Sequence, residues 1–156
     1  MKIDNYPMTE NQILKKLRLI DQNPVLIINA PEEFQETLAD IRPDVHRQTR
    51  QQYGFILVFV KNQADINQFL PTSLSALQGD GYFWVAYPKK TSKKYVSDIS
   101  RDKGWEILGK HNYEPVTQIA IDQDWSALRF RQADNIKQMK RKKALSPKGR
   151  ERIKKK

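Results

Sequence analysis

Three short apolar runs punctuate the first ninety residues: Val25-Leu-Ile-Ile28, Phe55-Ile-Leu-Val-Phe-Val60 and Gly81-Tyr-Phe-Trp-Val-Ala-Tyr87. Runs that are apolar at successive positions suit strands buried on both faces of a parallel sheet. Between them the apolar residues recur at helical spacing. Ile13, Leu14, Leu17 and Ile20 predict a helix over 9–21, opened by the Thr9/Gln12 capping-box spacing and closed before Asn23-Pro24. Phe34, Leu38 and Ile41 predict a second helix, with Glu32 and Glu33 in its first turn, where acids complement the dipole. Residues 42–52 read as a long polar connection. A third helix carries Ile66, Phe69 and Leu70, capped by Asn62 with Asp65 at the third position. Pro71 is expected to break or kink it, with Leu74 and Leu77 in a further turn closed by Gly79. A helix is expected within 97–110, its continuity weakened by Gly104, since a glycine costs roughly 1 kcal/mol inside a helix. Segments 114–121 and 125–131 read as strands joined by the turn Asp122-Gln-Asp124.

This order of elements predicts an α/β fold. Its sheet is mostly parallel, of about five strands, with helices on both faces and the last strand in an antiparallel edge hairpin. The first strand is placed at the centre, the second on one side and the rest on the other. Three segments follow: an amphipathic N-terminal helix packing on the domain over 1–24, an α/β domain over 25–132, and a basic tail over 133–156, disordered or helical.

Charge alters this picture at one end only. Eleven of the 28 Lys and Arg, but one of the 18 Asp and Glu, fall in 137–156, so that segment holds the whole net charge of +10 and residues 1–136 are neutral. Any electrostatic affinity for nucleic acid implied by composition therefore belongs to the tail. There are no cysteines, which excludes disulfides, thiol chemistry and cysteine-bound zinc. No apolar run approaches the length of a membrane span, and the N-terminus lacks the apolar stretch of a signal peptide. A soluble cytoplasmic protein is expected.

Three strings resemble a family of small uncharacterised bacterial proteins known as a domain of unknown function. They are Trp84-Val-Ala-Tyr-Pro-Lys-Lys-Thr-Ser92, Arg101-Asp-Lys-Gly-Trp105 and Ile121-Asp-Gln-Asp-Trp-Ser-Ala-Leu-Arg-Phe130. The resemblance covers roughly residues 25–131. It implies a bacterial, cytoplasmic α/β domain and no particular activity.

The candidate chemistry clusters at two places. Lys89, Lys90, Thr91, Ser92, Lys93 and Lys94 follow a predicted parallel strand, at the edge where open α/β sheets bind ligands. With a helix beginning near Ser97 they would form an anion site, although no glycine-rich phosphate cradle is present. Arg129 is a further candidate ligand for an anion. The alternative is a structural ion pair with Asp122 or Asp124 on a charge-protected edge strand. In the tail, Lys140, Arg141, Lys142, Lys143, Lys148, Arg150, Arg152, Lys154, Lys155 and Lys156 could neutralise phosphates in a salt-dependent way. No aromatic is interleaved among them to read bases. Trp84, Trp105 and Trp125 read as core rather than as stacking platforms. His46 with Asp44 and His111 with Glu114 are conceivable acid–base pairs, but no nucleophile stands beside either, and no metal or catalytic set is expected.

The leading sequence reading is a cytoplasmic binding protein, more a non-enzyme than an enzyme, with no cofactor. In it the α/β body carries an anion-binding edge, and the basic tail adds non-specific affinity for RNA, DNA or the ribosome. The alternatives are a small enzyme, or relic of one, acting on a phosphorylated metabolite or nucleotide at the strand-end crevice, and a protein–protein adaptor using helix 9–21. Oligomeric state is left open.

Overall fold

The computed structural model describes residues 12–137 and 144–154. The strands are β1 (Val25–Ile28), β2 (Val45–His46), β3 (Tyr53–Phe59), β4 (Leu77–Pro88), β5 (Tyr113–Ala120) and β6 (Trp125–Gln132). They form one six-stranded sheet in the order β2-β1-β3-β4-β6-β5. Only β6 runs against the others. The helices are α1 (Gln12–Lys16), α2 (Gln35–Ala39), α3 (Gln63–Ser75), α4 (Glu106–Lys110) and α5 (Pro147–Lys154). The fold is thus α/β, with a mostly parallel sheet and an antiparallel pair at one edge.

Strand order departs from the sequence reading, which puts the first strand at the centre. In the structure β3 separates β1 from β4. The physical reason is burial: every residue from Phe55 to Phe59 is at most 1% exposed, and only a central strand hides both faces over that length. The two-residue β2, within the stretch read as a connection, adds an edge beside β1. At the other edge β6 lies inside and β5 outermost, paired Ala120 with Ser126. The Asp122 carboxylate closes the turn between them, accepting from the N–H groups of Asp124 and Trp125 at 2.8 Å each.

Alternation along the strands divides the core in two. One face carries Ile56, Val58, Phe83, Val85, Leu128 and Phe130 under Ile66 and Leu70 of α3 and Trp105 and Leu108 of the α4 region. The other carries Leu57, Phe59, Trp84 and Trp125 under Leu17 and Phe34.

Local chemistry explains the helices. Asn62 Oδ1 accepts from Asp65 N at 2.9 Å, and Asp65 Oδ2 accepts from Lys61 N at 2.8 Å, a reciprocal cap on α3. The break expected at Pro71 does not occur, and α3 continues to Ser75. Buried Ile66 and Leu70 hold the helix to the sheet on the N-terminal side. Ser73 Oγ donates to Phe69 O and Ser75 Oγ to Thr72 O beyond it, both at 2.7 Å. The helix expected within 97–110 shrinks to Glu106–Lys110, because Gly104 adopts φ of 110°, outside any helix.

The stripe on α1 covers the sheet. Leu14 and Leu17 are buried, and Trp84 Nε1 donates to Leu17 O at 2.9 Å. Ile20 alone of that stripe is strongly exposed, at 78%. This removes the adaptor reading, which requires Ile13, Leu17 and Ile20 exposed together. Thr9 lies outside the described residues.

The described part of the tail is docked and helical. Buried Glu114 accepts from Leu145 N at 2.8 Å and from both the N–H and the hydroxyl of Ser146, which is itself fully buried. Ser146 Oγ in turn accepts from Gly149 N at 2.9 Å, capping α5. A Cβ on Gly149 would stand 2.3 Å from Glu114 Oε2, so the contact requires glycine there. No helix among the described residues is long and apolar enough to cross a membrane.

Candidate functional site

The carboxyl end of β4 opens into a cavity of about 410 Å³. Lys89, Lys90 and Thr91 form one wall, directly after the strand. Ser100, Arg101 and Asp102 form the opposite wall. Tyr87, Gln118 and Ser126 complete it from β4, β5 and β6. Tyr87 and Ser126 are buried, so the cavity reaches down to the sheet. Burial pushes the Tyr87 phenol above its ordinary value; Arg101 draws it down and Asp102 raises it further. It therefore remains a neutral hydroxyl through the physiological range. The Arg101 and Asp102 side chains lie 3.9 Å apart and are well exposed. Among the described residues neither Lys89 nor Lys90 forms an ion pair, so their charge is free to face the cavity.

The remaining predicted anion ligands are used elsewhere. Ser92 Oγ donates to Asp124 Oδ1 at 2.8 Å and accepts from Lys94 N and Tyr95 N, which folds the loop. Lys93 is exposed and does not line the cavity. Lys94 Nζ lies 3.2 Å from Glu33. No helix starts near Ser97 to lend its dipole.

Arg129 stands on the face bearing Trp84 and Trp125. Its guanidinium carbon is 4.0 Å from the Tyr82 ring centre, a cation–π stack. Among the described residues its buried Nε has no hydrogen-bond partner. Desolvation, followed by repulsion from Arg131, lowers its pKa, while Tyr82 and Asp80 oppose the shift. The pairing with Asp122 or Asp124 is not formed, because those acids lie beyond the opposite end of β6. Arg131 instead bonds Asp80 through both Nε and Nη2.

Sequence reasoning missed the arrangement that joins the loops of this edge. Glu33 accepts from Tyr95 OH at 2.6 Å, Trp125 Nε1 at 2.9 Å and Lys94 Nζ at 3.2 Å. Trp125 and Tyr95 pack with ring centres 5.1 Å apart, and Phe59 lies 5.2 Å from Trp125. Desolvation pulls the Glu33 carboxyl upward, but the bonds from Tyr95, Trp125, its own backbone and Lys94 together hold it at about 2. The Tyr95 phenol is pushed up to about 12 by desolvation and by Glu33. The loop after β1 and the loop after β4 are thereby tied across β3.

The three tryptophans are core, each at most 2% exposed. His46 Nδ1 lies 2.6 Å from Tyr53 OH rather than pairing with Asp44. Of the predicted nucleic-acid ligands, Lys140, Arg141, Lys142, Lys143, Lys155 and Lys156 lie outside the described residues. Lys148 pairs with Asp134 at 2.7 Å, Arg150 donates to Leu145 O at 2.8 Å, and Arg152 donates to Ala133 O. Lys148 and Arg152 tie α5 back to the segment just after β6, and Arg150 bonds within its own segment.

No family model matches the chain, and no curated protein matches it. Solved structures do. The N-methyltransferase NodS from Bradyrhizobium japonicum WM9 aligns at 13% identity and a TM-score of 0.48, over 83% of this chain and 99% of that one. The same enzyme in complex with S-adenosyl-L-homocysteine aligns at 13% identity and 0.49, over 83% and 89%. An NADB-Rossmann superfamily protein from Streptococcus agalactiae aligns at 8% and 0.43, over 85% and 70%. Likeness of this size concerns the arrangement of strands and helices, not a reaction.

The sequence reading of a binding protein, more a non-enzyme than an enzyme and without a cofactor, is corrected to this extent: the aligned structures are those of an N-methyltransferase, once in complex with S-adenosyl-L-homocysteine. The nucleic-acid reading of the tail is withdrawn as well, because Lys148, Arg150 and Arg152 are bonded within the chain.

Proposed function

We propose that this chain is a small-molecule enzyme domain whose anionic substrate, phosphorylated or carboxylated, sits in the cavity at the carboxyl end of β4. One observation carries the reading: Lys89, Lys90 and Arg101 converge on a single cavity of about 410 Å³ that also presents hydroxyls from Thr91, Ser100 and Ser126. Lysine supplies compact positive charge, and arginine a planar fork matched to carboxylate or phosphate oxygens. Ligands of open α/β sheets occupy this edge. The strings that resemble the uncharacterised bacterial family supply all of the lining except Ser100 and Gln118. Common membership with that family is part of the proposal.

In this role Lys89, Lys90 and Arg101 bind and neutralise the anionic group. Ser126 and the neutral Tyr87 phenol form the floor of the cavity and offer hydrogen bonds. A nucleotide-type cofactor on a doubly wound sheet usually rests on a glycine-rich turn after the first strand. Here that turn is Asn29-Ala30-Pro31-Glu32-Glu33, and Glu33 is saturated by its three side-chain donors. That mode of holding a cofactor does not fit these residues, and no step is derived through one.

The test is calorimetric titration of the full chain with inorganic phosphate, adenosine monophosphate, citrate and S-adenosyl-L-homocysteine, repeated on the Lys89→Ala/Lys90→Ala double variant and on Arg101→Ala. At least one of the first three ligands should bind and weaken tenfold or more in both variants. Absence of anion binding by the wild type, or binding indifferent to both variants, overturns the proposal. Binding of S-adenosyl-L-homocysteine alone, unaffected by the variants, places the ligand elsewhere and overturns it too.

A further inference from the structure

A second cavity, of about 170 Å³, borders the first and shares Arg101, Asp102 and Gln118 with it. Its remaining lining is Pro115, Val116, Thr117 and Leu128, none of them charged. Together the two form a groove that is cationic at the β4 end and uncharged toward the middle of β5 and β6. Val116 is one of the few large apolar side chains left exposed, at 38%, and it stands on this wall. Leu128 and Pro115 are buried beneath the groove. The register shift between Pro115 and Thr117 locally unpairs the edge strand here.

We infer that the substrate is an anion carrying an uncharged, largely apolar tail, with its head at Lys89 and Lys90 and its tail along Val116 and Leu128. This deepens the proposed function and rests on it. Arg101 and Asp102 stand where head and tail join. Inorganic phosphate alone would leave the uncharged end of the groove wet, whereas a short alkyl or acyl tail would displace water from Val116 and Leu128. At about 30 Å³ per water of liquid volume, the second cavity has room for on the order of five or six water-sized groups. The tail it accepts is correspondingly short.

The experiment titrates the full chain with inorganic phosphate and with methyl, propyl, pentyl and heptyl monophosphates. Each buried methylene contributes a transfer free energy that corresponds to about a fourfold gain in affinity. Affinity should therefore climb from methyl to pentyl and level off by heptyl. Val116→Asp places a negative charge on the tail wall and should flatten the series. Gln118→Leu, opposite Leu128 in the register, enlarges the apolar wall and should steepen it. The melting temperature of each variant establishes that it is folded. A flat series with inorganic phosphate still bound overturns the tail and leaves the anion site standing. A series equally steep in Val116→Asp also overturns it, by placing the tail elsewhere. Failure of every member, inorganic phosphate included, overturns the anion site itself.

Discussion

Glu33→Gln should destabilise the protein in a way that disappears in acid. The substitution keeps the shape of the side chain and one acceptor oxygen but removes the charge that receives Tyr95 OH, Trp125 Nε1 and Lys94 Nζ. The carboxyl group sits at about 2 in the folded chain against an ordinary value of 4.5. A lowered folded pKa contributes stability that is complete above the unfolded value and is lost as pH falls toward the folded one. At 1.36 kcal/mol per pKa unit, the carboxylate form contributes about 3 kcal/mol at pH 7, falling to about 1 kcal/mol at pH 3. Glutamine recovers part of this through its remaining acceptor, so the expected loss at pH 7 is about 2 kcal/mol. Urea unfolding followed by tryptophan fluorescence, on wild type and variant at pH 7, 5 and 3, measures it. The difference should hold from pH 7 to 5 and shrink by more than half at pH 3. A difference independent of pH would show that the loss comes from packing around Phe59 and Trp125 rather than from the charge. A difference below about 0.5 kcal/mol at pH 7, the ordinary range of surface substitutions, would remove Glu33 as the tie between the loops.

Three further outcomes are expected. Gly149→Ala drives a Cβ into the Glu114 carboxylate; it should release residues 144–154, read as at least tenfold faster tryptic cleavage at Lys148 and Arg150 with the sheet still folded. Asn62→Ala removes the oxygen that accepts from Asp65 N and should lower unfolding free energy by about 1 kcal/mol, visible as a shifted urea midpoint at unchanged slope. Arg129→Met exchanges a partly desolvated guanidinium with an unpartnered Nε for an apolar chain that still covers Tyr82. Loss of cation–π stacking worth about 1 kcal/mol or less should be offset by relief of desolvation, leaving stability nearly unchanged and phosphate affinity intact by calorimetry.

What the sequence showed and what it concealed divide along a physical line. Features written within a few residues were legible. The Asn62/Asp65 cap, the apolar strand runs and the turn at Asp122–Asp124 all formed, because their partners lie at short sequence separation. Lys89, Lys90 and Thr91 were legible for the same reason, as a polar segment following a buried strand. Gln118 and Ser126 were not, since only the pairing of β6 between β4 and β5 brings them to the cavity, and neither was Arg101, which closes it from the segment between β4 and α4. Glu33 reads locally as an acid favouring a helix start. Its partners Tyr95 and Trp125 stand 62 and 92 residues away, and nothing local names them. Pro71 shows the converse: a strong local signal was overridden by side chains packed on the sheet.

The tail shows how composition can mislead about mechanism. Its charge density and its scarcity of apolar side chains argue against a packed segment, yet residues 144–154 dock. They do so through a buried carboxylate and two glycines, with Leu145 packed against the core. Glu114 stands at 1% exposure, where an unsatisfied carboxylate would be costly, and the N–H groups of Leu145 and Ser146 with the Ser146 hydroxyl satisfy it. Gly109 leaves the room that Leu145 occupies, as Gly149 does for Glu114. The positive charge that suggests a polyanion partner is therefore partly spent on the protein's own Asp134 and on backbone carbonyls at Ala133, Leu145 and Lys137. By contrast Lys89 and Lys90 line a cavity whose one carboxylate, Asp102, stands beside Arg101, and among the described residues neither lysine forms an ion pair. Cations that remain uncompensated beside a buried floor are the ones positioned to hold a ligand, and the search for this protein's chemistry belongs at the end of β4 rather than in its most basic segment.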